Sequence, residues 1–162
     1  MPPRDVLRRK LTVRARGQTL VLVKRAEESG EHVVQKAVLW ALFLPAYPGL
    51  AVEQRLPFES RYKPDLFALD PAGAVAFWGE CGAVSADKLR TLVRRYPATH
   101  LALSKWTTRL APHAALVDEA VRGVRRSAPV ELIGVPPEAA GWLDAGRELR
   151  VERDALAILR WD

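Results

Sequence analysis

Residues 63–82 read KPDLFALDPAGAVAFWGECG. Two short apolar runs flank Asp70-Pro71-Ala72-Gly73, residue types that suit a turn. The segment therefore predicts a pair of antiparallel strands, Asp65–Leu69 and Ala74–Glu80. Asp65 opens the first and Glu80 closes the second. With a four-residue turn, Leu69 lies opposite Ala74 and Asp65 opposite Trp78. Alternation with period two then sets Asp65, Leu69, Ala74, Trp78 and Glu80 on one face. Asp65 and Glu80 become diagonal neighbours, with Cα atoms about 7–8 Å apart. A slip of one residue would send them to opposite faces.

Two carboxylates this close repel, and without compensation one takes up a proton. A hard divalent cation compensates well. Mg²⁺ accepts one or two carboxylates and keeps its other positions for water and phosphate oxygens. Such a site suits phosphodiester hydrolysis, because the metal polarises the phosphoryl oxygen and acidifies a bound water. The same pair also has a structural explanation, in which each acid is neutralised by an arginine at a sheet edge. The residues alone leave both open.

Upstream, LTVRARGQTLVLVKR (11–25) predicts a β-hairpin with a well-buried second strand. Ser29 suits a helix N-cap, and EHVVQKAVLWALFL (31–44) has helical apolar spacing, nearly apolar all round in its second half. Glu31 and Gln35 share a face of its polar first half. Residues 51–58 suit a short strand. Downstream, Ser85 caps SADKLRTLVRRYP, THLALSKW is a buried strand, residues 111–125 are helical and VELIGV is a further strand. Residues 147–161 suggest a final pair of strands around Arg153-Asp154. The order is α/β with a mixed sheet.

A chain of 162 residues suits one domain, 1–162, with a real core. No apolar run approaches the roughly 20 residues of a membrane helix, and the basic start has no apolar stretch of the secretory kind. A single cysteine, Cys81, excludes an internal disulfide and fits the cytoplasm. The formal net charge of +6 favours an anionic partner such as nucleic acid, DNA or RNA, although a basic solvated surface has the same composition. Alternation turns Cys81 toward packing, which argues against a nucleophile. His32, His100 and His113 lack zinc-type spacing, and no phosphate-binding glycine loop is present.

The Pro64-Asp65 … Glu80-Cys81-Gly82 spacing, with Lys88 downstream, resembles the PD-(D/E)XK nuclease superfamily. Residues 31–105 read in the order of its restriction-endonuclease-like core, which is helix, three antiparallel strands, helix and strand. More narrowly, the N-terminal hairpin, the polar-to-apolar helix, the strand end WGECG and the buried strand THLALSKW are similar to the YaeQ family. The resemblance implies Asp65 and Glu80 as metal ligands, with Mg²⁺ or Mn²⁺ as cofactor. It implies Glu31 as an accessory acid and Gln35 as a supporting hydrogen-bond partner.

The superfamily lysine stands two residues after the second acid, where this chain has Gly82. The motif is therefore broken, and Lys88 would supply the charge from the next helix. Arg61 and Lys63, which lead into Asp65, and Arg94 and Arg95 on the helix would follow a phosphate backbone. Trp78 suits core packing better than base stacking. Relatives often dimerise to cut two strands, so a homodimer is part of the expectation. The implied activity is a Mg²⁺-dependent nuclease. The alternatives are an inactive nucleic-acid-binding protein of the same fold, which the Gly82 departure favours, and a structural or interaction protein.

Overall fold

The computed structural model describes residues 10–143 and 148–162. Strands β1 (Lys10–Ala15) and β2 (Gln18–Val23) form an antiparallel hairpin. Arg16 and Gly17 turn its corner with φ of 51° and 76°. A two-residue loop that follows the twist of its strands needs positive φ at both positions. The buried strand is β1, through Leu11, Val13 and Ala15, whereas Val21 and Val23 of β2 are 51% and 50% exposed. The expected burial of the second strand is thus reversed: only Leu22 of the TLVLV run turns fully inward. The outer edge of β1 also recruits chain from far away. The Leu149 amide donates to the Arg14 carbonyl at 2.7 Å, and the Arg16 amide to Glu148 at 2.7 Å.

Helix α1 (Gly30–Phe43) begins at Ser29, whose hydroxyl accepts from the His32 amide at 3.1 Å. It is buried on nearly every side from Val33 onward. The sheet, the inward hairpin residues and a 3-10 turn at Pro137–Trp142 all join the apolar cluster around it. That surround explains a helix without a continuous polar face.

The central sheet has six strands: β3 (Ala51–Val52), β4 (Leu66–Leu69), β5 (Val75–Cys81), β6 (His100–Lys105), β7 (Val130–Gly134) and β8 (Ala157–Trp161). They lie in chain order, antiparallel at β3/β4, β4/β5 and β7/β8 and parallel at β5/β6 and β6/β7. The parallel steps need crossovers. Helices α2 (Ala86–Arg95) and α3 (Ala111–Val121) provide them and pack with Trp78, Leu101, Val130 and Leu132 in a second apolar cluster. The fold is therefore mixed α/β, a mixed sheet flanked by helices, with a separate hairpin.

Two expected strands shorten. The 51–58 segment keeps only β3, because Glu53 adopts φ 57° and donates its amide to the Asp65 carbonyl at 2.9 Å. The C-terminal segment has one strand of the sheet rather than a strand pair. Residues 153–155 form a 3-10 turn instead, with Arg153 ion-paired to buried Glu131 of β7. Arg147 and residues 1–9 lie outside the described residues.

Phe77 is fully buried, with ring centroids 4.6 Å from Phe43 and 4.9 Å from Tyr47. Phe77→Ala is expected to cost about 3–5 kcal/mol, since the cavity adds to the lost transfer energy. The midpoint of urea unfolding measures it, and a shift under about 1 kcal/mol would contradict this packing.

Candidate functional site

The β4–β5 register pairs Leu66 with Gly79, Phe67 with Trp78 and Ala68 with Phe77, then shifts at Leu69, which pairs with Val75. A bulge at that point and an Asp70-closed turn move the ladder by two residues from the expected register. Asp70 accepts from the Ala72 and Ala74 amides, both at 2.9 Å, and Gly73 turns at φ 87°. Trp78 thus faces Phe67 rather than Asp65. An even shift preserves parity, and the ladder continued by one residue sets Asp65 across from Glu80. The Asp65 amide donates to the Gly79 carbonyl at 3.1 Å.

The side chains nonetheless turn apart. Asp65 reaches past the end of β4 and accepts from the Cys81 amide at 2.8 Å. Its Oδ2 lies 3.5 Å from His32 Nε2 on α1. Glu80 turns toward the other helical layer, where Lys88 Nζ on α2 lies 2.8 Å from Oε1 and Trp78 Nε1–H donates at 2.9 Å. Each acid thus has its own basic partner, histidine or lysine where arginine was the structural expectation.

Burial pushes both carboxyl pKa values up, with opposite results. At Asp65 the hydrogen bonds from His32 and the Cys81 amide outweigh burial and leave the group below the usual aspartate range. At Glu80 burial prevails over the Lys88 bond, and the Asp65 charge adds to it, so its pKa rises. The two groups therefore sense each other electrostatically while pointing to different partners.

Around Asp65, His32 Nδ1 meets Glu28 at 2.6 Å, so both ring nitrogens face carboxylates. The Asp65 bond raises the ring's pKa more than burial lowers it. Lys36, one turn on, is fully buried and ion-paired with Glu28 and Glu53. A cavity of about 280 Å³ opens here, lined by Glu28, His32, Lys36, Glu53, Lys63 and Asp65.

Gly82 has φ +85°, a region that side-chain-bearing residues rarely adopt. The local chain is held through its backbone: the Gly82 amide donates to Ser104 O at 3.0 Å and to Gln35 Oε1 at 3.2 Å. The same Gln35 oxygen accepts from Ser104 Oγ at 2.7 Å. Gln35 is thus buried and supports the end of β5. The Gly82 carbonyl accepts from Lys105, whose ammonium is brought alongside by the parallel β5–β6 register. Burial lowers the Lys105 pKa. Cys81 is buried in the α1-side cluster, where burial pushes its thiol well up, as its alternation predicts.

The structure brings Asp65, Glu80, Lys88, Lys63 and Gln35 to one end of the sheet. Glu31 is half-buried and makes no hydrogen bond or ion pair among the described residues; Glu28 and His32 take the place beside Asp65 instead. Arg61 is exposed, with its guanidinium 5.1 Å from the Tyr62 ring centroid. Arg94 and Arg95 are exposed at the end of α2. Glu28, His32, Lys36, Glu53 and Lys105 were not singled out from sequence as site residues. The four-residue spacing of Glu28, His32 and Lys36 is a signal for the first three. Among the described residues no group of three or more His, Cys, Asp or Glu side chains is arranged to hold a metal ion. Mg²⁺ asks for less, since one or two carboxylates suffice with water and phosphate. Asp65 and Glu80 supply oxygen donors of the right chemistry, but both side chains would have to leave their present partners to share an ion.

No family model matches the chain, and no curated protein matches it. Solved structures do. The YaeQ protein from Pseudomonas syringae superposes with a TM-score of 0.58 over 88% of this chain and 78% of that one, at 19% identity. The YaeQ protein from Xanthomonas axonopodis pv. citri superposes at 0.55 over 88% and 80%, at 17% identity. The chain shares the fold of YaeQ proteins. At these identities the likeness concerns the fold alone.

The raised pKa of His32 predicts a pH effect on stability. Protonated His32 stabilises the fold fully below the unfolded value of 6.5, and the contribution fades as pH rises through the higher folded value. In metal-free buffer, His32→Asn should destabilise most below pH 6.5, and the gap to wild type should narrow above the folded pKa. Urea midpoints across the range test this, and a gap independent of pH would show that the ring acts uncharged.

Proposed function

We propose that the protein is a divalent-metal-dependent phosphodiester hydrolase acting on nucleic acid, built on a restriction-endonuclease-like core. The observation that carries this reading is the pair of strand-end acids, Asp65 and Glu80. Their backbones lie across from each other where the β4–β5 ladder is continued by one residue, and the Asp65 charge raises the Glu80 pKa although the side chains turn to separate partners. Lysine and histidine stand beside them in a basic chain. The element order from α1 to β6 supports the core assignment, with three antiparallel strands between two helices.

Asp65 and Glu80 would hold Mg²⁺ or Mn²⁺. The ion would polarise the phosphoryl oxygen and acidify a water. Asp65 is ready for that role, since its neighbours keep it ionised. Lys88 would leave Glu80 for a phosphate oxygen and place its positive charge where negative charge develops. Gln35 would hold the Gly82 turn, while Lys63 and Arg61 would guide the backbone toward Asp65. Arg94 and Arg95 would extend the basic track along α2.

A second reading has a specific observation behind it. Each acid already has a basic partner, and position 82 carries no lysine, so a nucleic-acid-binding protein without catalysis fits the same geometry.

Cleavage of labelled single- and double-stranded DNA and RNA in Mg²⁺ or Mn²⁺ separates the two. Asp65→Ala and Glu80→Ala should each lower the rate by at least about 100-fold, the scale of losing a principal transition-state contact. Inactive wild type on every substrate, or variants as fast as wild type, would end the hydrolase reading. Mg²⁺ should also raise the melting temperature of wild type and leave that of Asp65→Ala unmoved, because a ligand selective for the folded state stabilises it.

A further inference from the structure

A second cavity, of about 440 Å³, lies beside Glu80 on the α2 side of the sheet. Trp78 and Tyr96 line it, with ring centroids 5.2 Å apart. Tyr62 lines it from the loop before β4, with the Arg61 guanidinium 5.1 Å and the Lys88 ammonium 5.2 Å from its ring centroid. Phe58, 43% exposed, and the exposed Arg61 and Arg95 also line it, together with one exposed carboxylate, Glu59. The cavity is joined to the acid pair by two direct links. Trp78 donates to Glu80, and Lys88 touches both Glu80 and the face of Tyr62.

Three features define what fits. The volume is in the range of small-ligand sites. Trp78 is buried behind the wall, and the half-buried rings of Tyr62 and Tyr96 offer stacking to a flat π-system, which any base supplies. The exposed Arg61 and Arg95 offer cations to phosphate oxygens. A base paired within a duplex is stacked on both faces and cannot enter such a recess without being extruded.

We propose that this cavity receives one unpaired nucleobase of a single-stranded nucleic acid, with the flanking phosphates on Arg61 and Arg95. Tyr62 is the stacking platform once Arg61 swings from over its ring to a phosphate, and the strand leaves the cavity past Lys88 toward Glu80 and Asp65. The assignment deepens the reading of those acids as a nucleic-acid site and rests on it, but its test needs no cleavage.

The test is fluorescence anisotropy in EDTA with labelled DNA and RNA strands of about 12 nucleotides, within the span of single-strand sites. The same strands in duplex form are the comparison. Wild type should bind a single strand at least about tenfold more tightly than its duplex. Tyr62→Ala should lose about tenfold, in line with the loss of one stacked base. Tyr62→Phe should retain binding. Arg95→Ala should weaken binding and flatten its salt dependence, as expected when a phosphate contact is lost. Arg122→Ala, an exposed arginine paired with Glu119 on α3, should change neither.

Equal affinity for duplex and strand overturns the proposal, as does absence of binding. Unaltered affinity in Tyr62→Ala, with a native circular dichroism spectrum, does so too. If strands bind as expected and none is cut, the hydrolase reading falls and the cavity stands. If strands are cut with no dependence on Tyr62, the cavity falls and the hydrolase reading stands.

Discussion

The pairing of β4 with β5 is the constraint on which the site depends. The last bonds of that ladder are unusual in kind. The Asp65 amide still bonds Gly79 in the strand manner, but the Cys81 amide finds the Asp65 carboxylate in place of a main-chain carbonyl. One side chain therefore ends a strand, satisfies a buried donor and, through the same oxygen, meets His32 of α1. Because β5 is also the parallel partner of β6, the same few residues fix where Glu80, Gly82 and Lys105 meet.

Charge burial around this point is extensive and organised. Lys36 is buried between Glu28 and Glu53, and Glu131 is buried between His100 and Arg153. Burying an ion costs several kcal/mol unless partners satisfy it, and removing one partner is worse than removing both. Such groups add little net stability but demand one arrangement of the elements that bear them. Here they tie α1 to the β3 end and β7 to the 153–155 turn. Asp65, held ionised, and Glu80, pushed toward protonation, sit at the meeting point of both helical layers with the sheet.

The alternation and helical spacing of the chain made the element order legible, along with the Ser29 and Ser85 caps and the inward placement of Cys81. What escaped was long-range. A longer turn, which pairs Leu69 with Val75, and a bulge at Ala68/Leu69 together moved the register by two residues, and residue types in DPAG carry no sign of it. The TLVLV run is as apolar as a core strand, yet only Leu22 is fully covered, because covering depends on partners elsewhere in the chain. The C-terminal residues resemble a strand pair locally, but Arg14 and Glu131, far upstream, decide where they go. The nearness of the two acid positions was legible from spacing, but the spacing set the pair diagonally with converging carboxylates, whereas the side chains turn apart. Their basic partners were not legible, since His32 and Lys88 come from helices on opposite faces of the sheet.

The left-handed turn at Gly82 has a consequence for how positive charge is distributed. An L-residue there would pay about 1–2 kcal/mol in backbone strain alone, so the position disfavours any side chain, cationic ones included. The amines arrive instead from the neighbouring strand and the following helix, as Lys105 and Lys88 do. Each hangs from a separately packed element. Lys105 is held by the Gly82 carbonyl and Lys88 by the Glu80 carboxylate, so two cations reach the end of β5 from different directions, which a single lysine on β5 would not do.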